Sequence, residues 1–117
     1  MEPFELFCLY YLGLTPKGGY QFVNANQVAR HLNWTVGELM QTLSKFQLHP
    51  DTVLNTDFPL ARHQVDIQMA AEREEPASLH RRAERIFREF RASVGKRRDW
   101  IKEIEEERRQ DRLRKQL

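Results

Sequence analysis

At 117 residues and 14.0 kDa, with 40% apolar and 31% charged positions, the chain has room for one domain or for a small domain with an appended helix, which excludes a three- or four-layer enzyme. The net charge of +2 conceals a division: residues 1–75 carry five Lys or Arg against nine Asp or Glu, a balance of −4, and residues 76–117 carry fourteen against eight, a balance of +6. The two parts therefore face different partners, or each other.

The first element is predicted as a helix beginning near Pro3, a residue suited to a first helical turn, where its missing N–H is not needed. Phe4, Phe7, Cys8, Tyr11 and Leu12 fall on one helical face, and Leu6, Leu9 and Tyr10 line much of the remainder. A helix apolar nearly all round needs cover on more than one side, so part of that cover must come from the C-terminal region or from another molecule. The run FELFCLYYLGL is too short for a membrane span, contains Glu5 and follows Glu2, which also argues against a signal peptide. Cys8 has no second cysteine to pair with and reads as a small core hydrophobe, which points to a cytoplasmic protein. TPKGG then reads as a turn and YQFV as a short extended segment.

Residues 24–46 are the most sharply specified stretch. Asn24 with Gln27, and Thr35 with Glu38, each have the spacing of a capping box, and Trp34 with Leu39 that of a hydrophobic staple. Two starts so close together leave a turn at Asn33 and Trp34, between a helix burying Val28, Ala29 and Leu32 and one burying Leu39, Leu43 and Phe46, with Met40 at its margin. The small Ala29, Leu32, Asn33, the cap Thr35, Leu39 and Leu43 resemble the helix-turn-helix family, in particular its winged-helix variants. That resemblance implies an outward face of Thr35, Gly37, Glu38, Gln41, Ser44 and Lys45 on a groove-reading second helix. Residues 49–72 lack the Asn-Gly or Asp-Gly turn that a hairpin wing would use.

Pro59 is expected to open a further helix with Leu60, Ala61, Val65, Met69 and Ala70 inward, although Val65, Ile67 and Met69 also alternate as a strand does. EREEP marks a boundary, dividing a helical core over 1–75 from a basic amphipathic helix over 76–117. In the latter, Leu79, Ala83, Ile86, Phe87, Phe90, Val94, Ile101 and Ile104 make one stripe. Glu84 with Arg88, Glu105 with Arg109 and Asp111 with Lys115 stand at ion-pairing spacing. Gly95 before KRR marks a candidate break, and the turns beyond Ile104 are expected to be solvated.

The chemistry-bearing residues are sparse. His31, His49, His63 and His80 are scattered, with no His-Glu-x-x-His or paired-Cys motif, and Met40 and Met69 read as core filler. No catalytic, metal or cofactor site, no small-molecule substrate and no enzyme activity are expected. The fold expected is all-α: a helix-turn-helix-like core carrying a long basic C-terminal helix. The leading functional expectation is a small regulatory or adaptor protein that binds another protein or a second copy of itself through Phe87, Phe90, Trp100, Ile101 and Ile104. The second is DNA-binding regulation through Thr35, Gln41 and Lys45 of the second capped helix, assisted by Arg81, Arg82, Arg97 and Arg98. The acidic balance around the reading helix weighs against the second.

Overall fold

The computed structural model describes residues 1–15 and 24–115, and among these the architecture is all helical, with no β-strand. The turn and extended segment expected between Thr15 and Val23 lie, beyond Thr15 itself, outside the described residues. The elements are α1 (Pro3–Phe7), continued by a π-helical stretch (Cys8–Leu12), then α2 (Ala25–Leu32), α3 (Val36–Lys45), α4 (Pro50–Leu54), α5 (Leu60–Ala71) and α6 (Pro76–Lys115).

The N-terminal helix is the centre of the core. Leu6, Phe7, Cys8, Leu9, Tyr11 and Leu12 are all buried, with α6 on one side, α5 on another and α2 on a third. An all-round apolar helix is thus covered by its own chain, chiefly by segments far away in sequence. Its last turn widens to π geometry, in which the Cys8 carbonyl accepts from Leu14 N–H at 3.1 Å, and Gly13, at φ 68°, closes the end in the left-handed region. Tyr11 ties this turn to distant segments: its hydroxyl donates to the Leu48 carbonyl at 2.6 Å, and its own carbonyl accepts from Gln64 Nε2 at 2.9 Å.

Rings fill the space between α1, α5 and α6. Phe90 is completely buried, stacked on Phe7 at 5.3 Å between centroids and edge-on to Phe58 at 5.4 Å. Phe87 packs on Phe4 at 5.5 Å and on Phe7 at 5.1 Å. Burying a ring of this size contributes about 1.5–3 kcal/mol from area alone, so these contacts account for much of the attachment of α6.

The α2–α3 pair forms as its caps require. Asn24 Oδ1 accepts from Gln27 N and Gln27 Oε1 from Asn24 N, both at 2.9 Å. Asn33 terminates α2 at φ 60°, which an Asn accommodates better than most side chains. Trp34 N–H closes the turn onto the Ala29 carbonyl at 2.8 Å. Val28, Ala29, Leu39 and Leu43 are buried, while Leu32 and Phe46 are partly so.

Three expectations need correction. The inward face of α5 is Leu60, His63, Gln64, Ile67 and Ala70, whereas Ala61 is exposed and Val65 and Met69 are 53% and 52% exposed. Polar partners set that rotation: Gln64 reaches the Tyr11 carbonyl, and His63 stacks on Phe58 at 5.0 Å. The expected pairs of Glu84 with Arg88 and Glu105 with Arg109 are replaced by His80–Glu84 at 2.9 Å and Arg109–Glu106 at 2.8 Å. α6 also runs through Gly95 without a break, and apart from its chain neighbours and the local helix backbone no atom lies within 4 Å of where a Cβ there would stand.

Candidate functional site

α6 is 40 residues long, about 60 Å at 1.5 Å per residue, against a greatest molecular dimension of 63 Å. Pro76 opens it, and Leu79 N–H bonds back to Glu75 O at 3.1 Å. Its first half lies on the body with Leu79, Ala83, Ile86 and Phe90 buried and Phe87 and Val94 half-buried. At about 100° per residue, Arg97, Ile101, Ile104 and Arg108 all lie within about 40° of the direction of Phe90. The same seam therefore continues past the body, where among the described residues no other element packs on it: Ile101 is 40% exposed and Ile104 half-buried, and Trp100, about 80° from the direction of Phe90, flanks them at 60% exposure.

The five residues expected to face a partner are thus divided. Phe87 and Phe90 belong to the intramolecular ring cluster, with Phe90 at zero exposure, whereas Trp100, Ile101 and Ile104 share the projecting half of α6. Lone exposed hydrophobics are ordinary. Here Ile101 and Ile104 continue a core-forming line, on a projecting half that is mostly charged.

The residues expected to meet nucleic acid do not form one cluster. Thr35 is the cap of α3, its Oγ1 accepting from Glu38 N at 3.0 Å while Glu38 Oε1 accepts from Thr35 N at 3.4 Å. That bond fixes a carboxylate at the very end of α3 that would enter a groove. Gln41 and Lys45 are exposed on α3. Arg81 bonds to Ser78 Oγ at 3.2 Å, and Arg82 is engaged by Glu74, whose carboxyl is held below the usual range first by that hydrogen bond. Arg97 and Arg98 are exposed on the projecting half.

Arg91 was missed as a functional position. Its Nη1 donates to the Phe46 carbonyl at 3.0 Å, its guanidinium lies 4.8 Å from the centroid of the Phe87 ring, and burial lowers its pKa. It joins the C-terminal end of α3, next to Lys45, to the middle of α6. Its spacing of four residues from Phe87 was the available signal, but its reach to a carbonyl of another helix left no trace in the sequence. Arg108 was also missed, although the 3.6-residue repeat run on from Phe90 would have found it.

The histidines are dispersed. His31 is exposed; His49 Nδ1 caps α4 by accepting from Asp51 N at 3.1 Å; and His80 pairs with Glu84. His63 Nε2 lies 2.9 Å from Glu89 Oε2, without the alignment of a hydrogen bond. Among the described residues no group of three or more His, Cys, Asp or Glu is placed to hold a metal ion, and no helix is long and apolar enough to cross a membrane. A cleft of about 570 Å³ lies between α1, the end of α2 and the start of α6, lined by Phe4, Cys8, Leu9, Leu32, Leu79 and His80 among others. The Cys8 thiol beside it is pushed up to about 12 by burial and then by Glu5 and Glu84, which makes it a poor nucleophile. Neither protein-family descriptions, nor characterised proteins, nor solved structures give a match to this chain.

Proposed function

We propose that the protein is a small non-enzymatic adaptor or regulatory protein that acts by binding another polypeptide through the projecting half of α6. One observation carries this reading: the seam that packs Leu79, Ala83, Ile86 and Phe90 into the body continues as Ile101 and Ile104, flanked by the exposed Trp100, without cover from the body among the described residues. A partner helix laid along that line would extend the packing already used by the body, and Trp beside Arg is the composition favoured at interface centres. The test is retention of polypeptide by the immobilised full chain, compared with its Trp100→Ala and Ile101→Asp variants. Retention should be lost in both variants. Equal retention by all three proteins would refute the reading.

DNA binding is the second reading, and one contact favours it. Arg91 anchors α6 against the end of α3 that carries Lys45, and by the helical repeat Arg98 and Lys102 lie on the same side of α6, within about 20° of Arg91. A positive strip there would neutralise phosphates. Against it, the basic end of α3 is its C-terminus, whereas in the helix-turn-helix family the N-terminal half of the second helix reads the groove, and that half holds Glu38. A labelled duplex retained at low salt, with affinity falling steeply as salt rises and weakened by Lys45→Glu or Gln41→Ala, would make this the correct function.

A further inference from the structure

Resting on the reading of the projecting half of α6 as a protein-docking face, we infer that its partner is a different, acid-flanked helix and not a second copy of this chain. The inference comes from which residues share the uncovered seam. Arg97 and Arg108 lie on the apolar line itself, one on each side of Ile101 and Ile104, and both are exposed. Neither has an ion-pair partner among the described residues, whereas the neighbouring Arg109 is engaged with both carboxylate oxygens of Glu106.

Self-pairing meets this arrangement badly in either direction. A parallel pair in register sets Arg97 against Arg97 and Arg108 against Arg108 of the second copy. An antiparallel pair centred on the two isoleucines sets Arg97 against Arg108. Each puts like charges at the ends of a very short apolar contact, where desolvation strengthens the repulsion. The surroundings do not cancel it, because residues 96–115 carry nine Lys or Arg against six Asp or Glu.

The complementary surface follows from the same geometry. Arg97 and Arg108 are separated by about 16 Å along the axis. A partner helix with two carboxylates about three turns apart, and with leucine-like side chains between them, would meet both guanidiniums while covering Trp100, Ile101 and Ile104. Guanidinium–carboxylate pairs can be bidentate, which fixes register as well as strength. The partner class is therefore an amphipathic helix whose apolar centre is bracketed by Glu or Asp.

The test uses the full-length chain carrying Trp34→Phe, so that Trp100 alone reports by fluorescence. The probes are two synthetic helices with identical leucine seams, bracketed by Glu in one and by Lys in the other. The Glu peptide should shift Trp100 emission to the blue and saturate, with the Lys peptide weaker on the order of tenfold or more. Arg97→Glu together with Arg108→Glu, at exposed positions and with helix content checked by circular dichroism, should reverse the preference. Equal binding of the two peptides, or a preference that the double variant leaves unreversed, overturns the acidic-partner inference but not the docking face. A concentration-dependent dimer in sedimentation equilibrium, abolished by Ile101→Asp, overturns it in favour of a second copy. Failure of both peptides to shift Trp100 in a chain that stays monomeric overturns it as well, and only the added neutrality of Trp100→Ala in polypeptide retention would remove the docking face itself. An emission shift by duplex DNA that the Glu peptide does not compete overturns it in favour of nucleic acid.

Discussion

Phe90 and Ile101 lie on one seam of one helix, yet substitution should affect them very differently. Phe90→Ala removes a fully buried ring that contacts Phe7 at 5.3 Å and Phe58 at 5.4 Å between centroids. The lost burial and the cavity left among rigid rings should together cost about 3–5 kcal/mol, a large part of the roughly 5–15 kcal/mol available to a domain of this size. Ile101→Gln replaces a side chain already 40% exposed, and Gln is at least as good a helix former. Its effect should stay within about 0.5 kcal/mol. Urea unfolding followed by circular dichroism, at two protein concentrations, measures both. A loss above about 1.5 kcal/mol for Ile101→Gln, a size that calls for burial, would mean that the projecting seam is covered and that the division at Val94 is wrong. A loss below about 1 kcal/mol for Phe90→Ala would refute the ring cluster as the attachment of α6.

Further substitutions test the links between elements. Tyr11→Phe leaves the Leu48 carbonyl without its 2.6 Å donor and should lower stability by about 1–3 kcal/mol, read from the shift in urea midpoint. Arg91→Ala removes both the bond to Phe46 O and the contact with the Phe87 ring, and should cost about 1–2 kcal/mol while speeding amide exchange in the last turn of α3. Cys8 should resist a thiol reagent at about pH 8 until the protein unfolds. Its thiol is raised from an ordinary 9.0 to about 12 in the folded chain. The unfolded chain therefore loses that proton first, and the associated stability is complete below about pH 9 and declines as pH rises toward about 12. Burial raises Tyr11 in the same direction, so Cys8→Ala should lessen the alkaline loss of stability without abolishing it.

The parts legible in the sequence are those set by local chemistry. Asn24 with Gln27 and Thr35 with Glu38 make their capping boxes within a few residues, so the starts of α2 and α3 followed from spacing alone, whereas α3 ends at Lys45, short of the stop before Pro50 that the sequence suggests. The demand that Leu6, Leu9 and Tyr11 be covered from outside also followed, because no single packed face could hide them all. What escaped was decided at long range. Val65 and Met69 outrank His63 and Gln64 on any hydrophobic scale, yet Phe58 and the Tyr11 carbonyl turn the polar pair inward. Likewise, α4 begins on Pro50 with His49 as its cap, a short helix whose apolar content was too small to register as a period. Of the candidate site, the stripe through Ile101 and Ile104 could be read directly. Where its cover ends could not, because that depends on how far the body reaches along α6.

Amide hydrogen exchange along α6 is the most direct measurement of that division. In the isolated chain, amides from Leu79 to Val94 should exchange only with global unfolding, while those from Arg97 to Arg108 should open locally and exchange much faster; the Glu-bracketed peptide should slow the second group alone. Protection running unbroken to Arg108 in dilute protein without peptide would contradict an uncovered docking face.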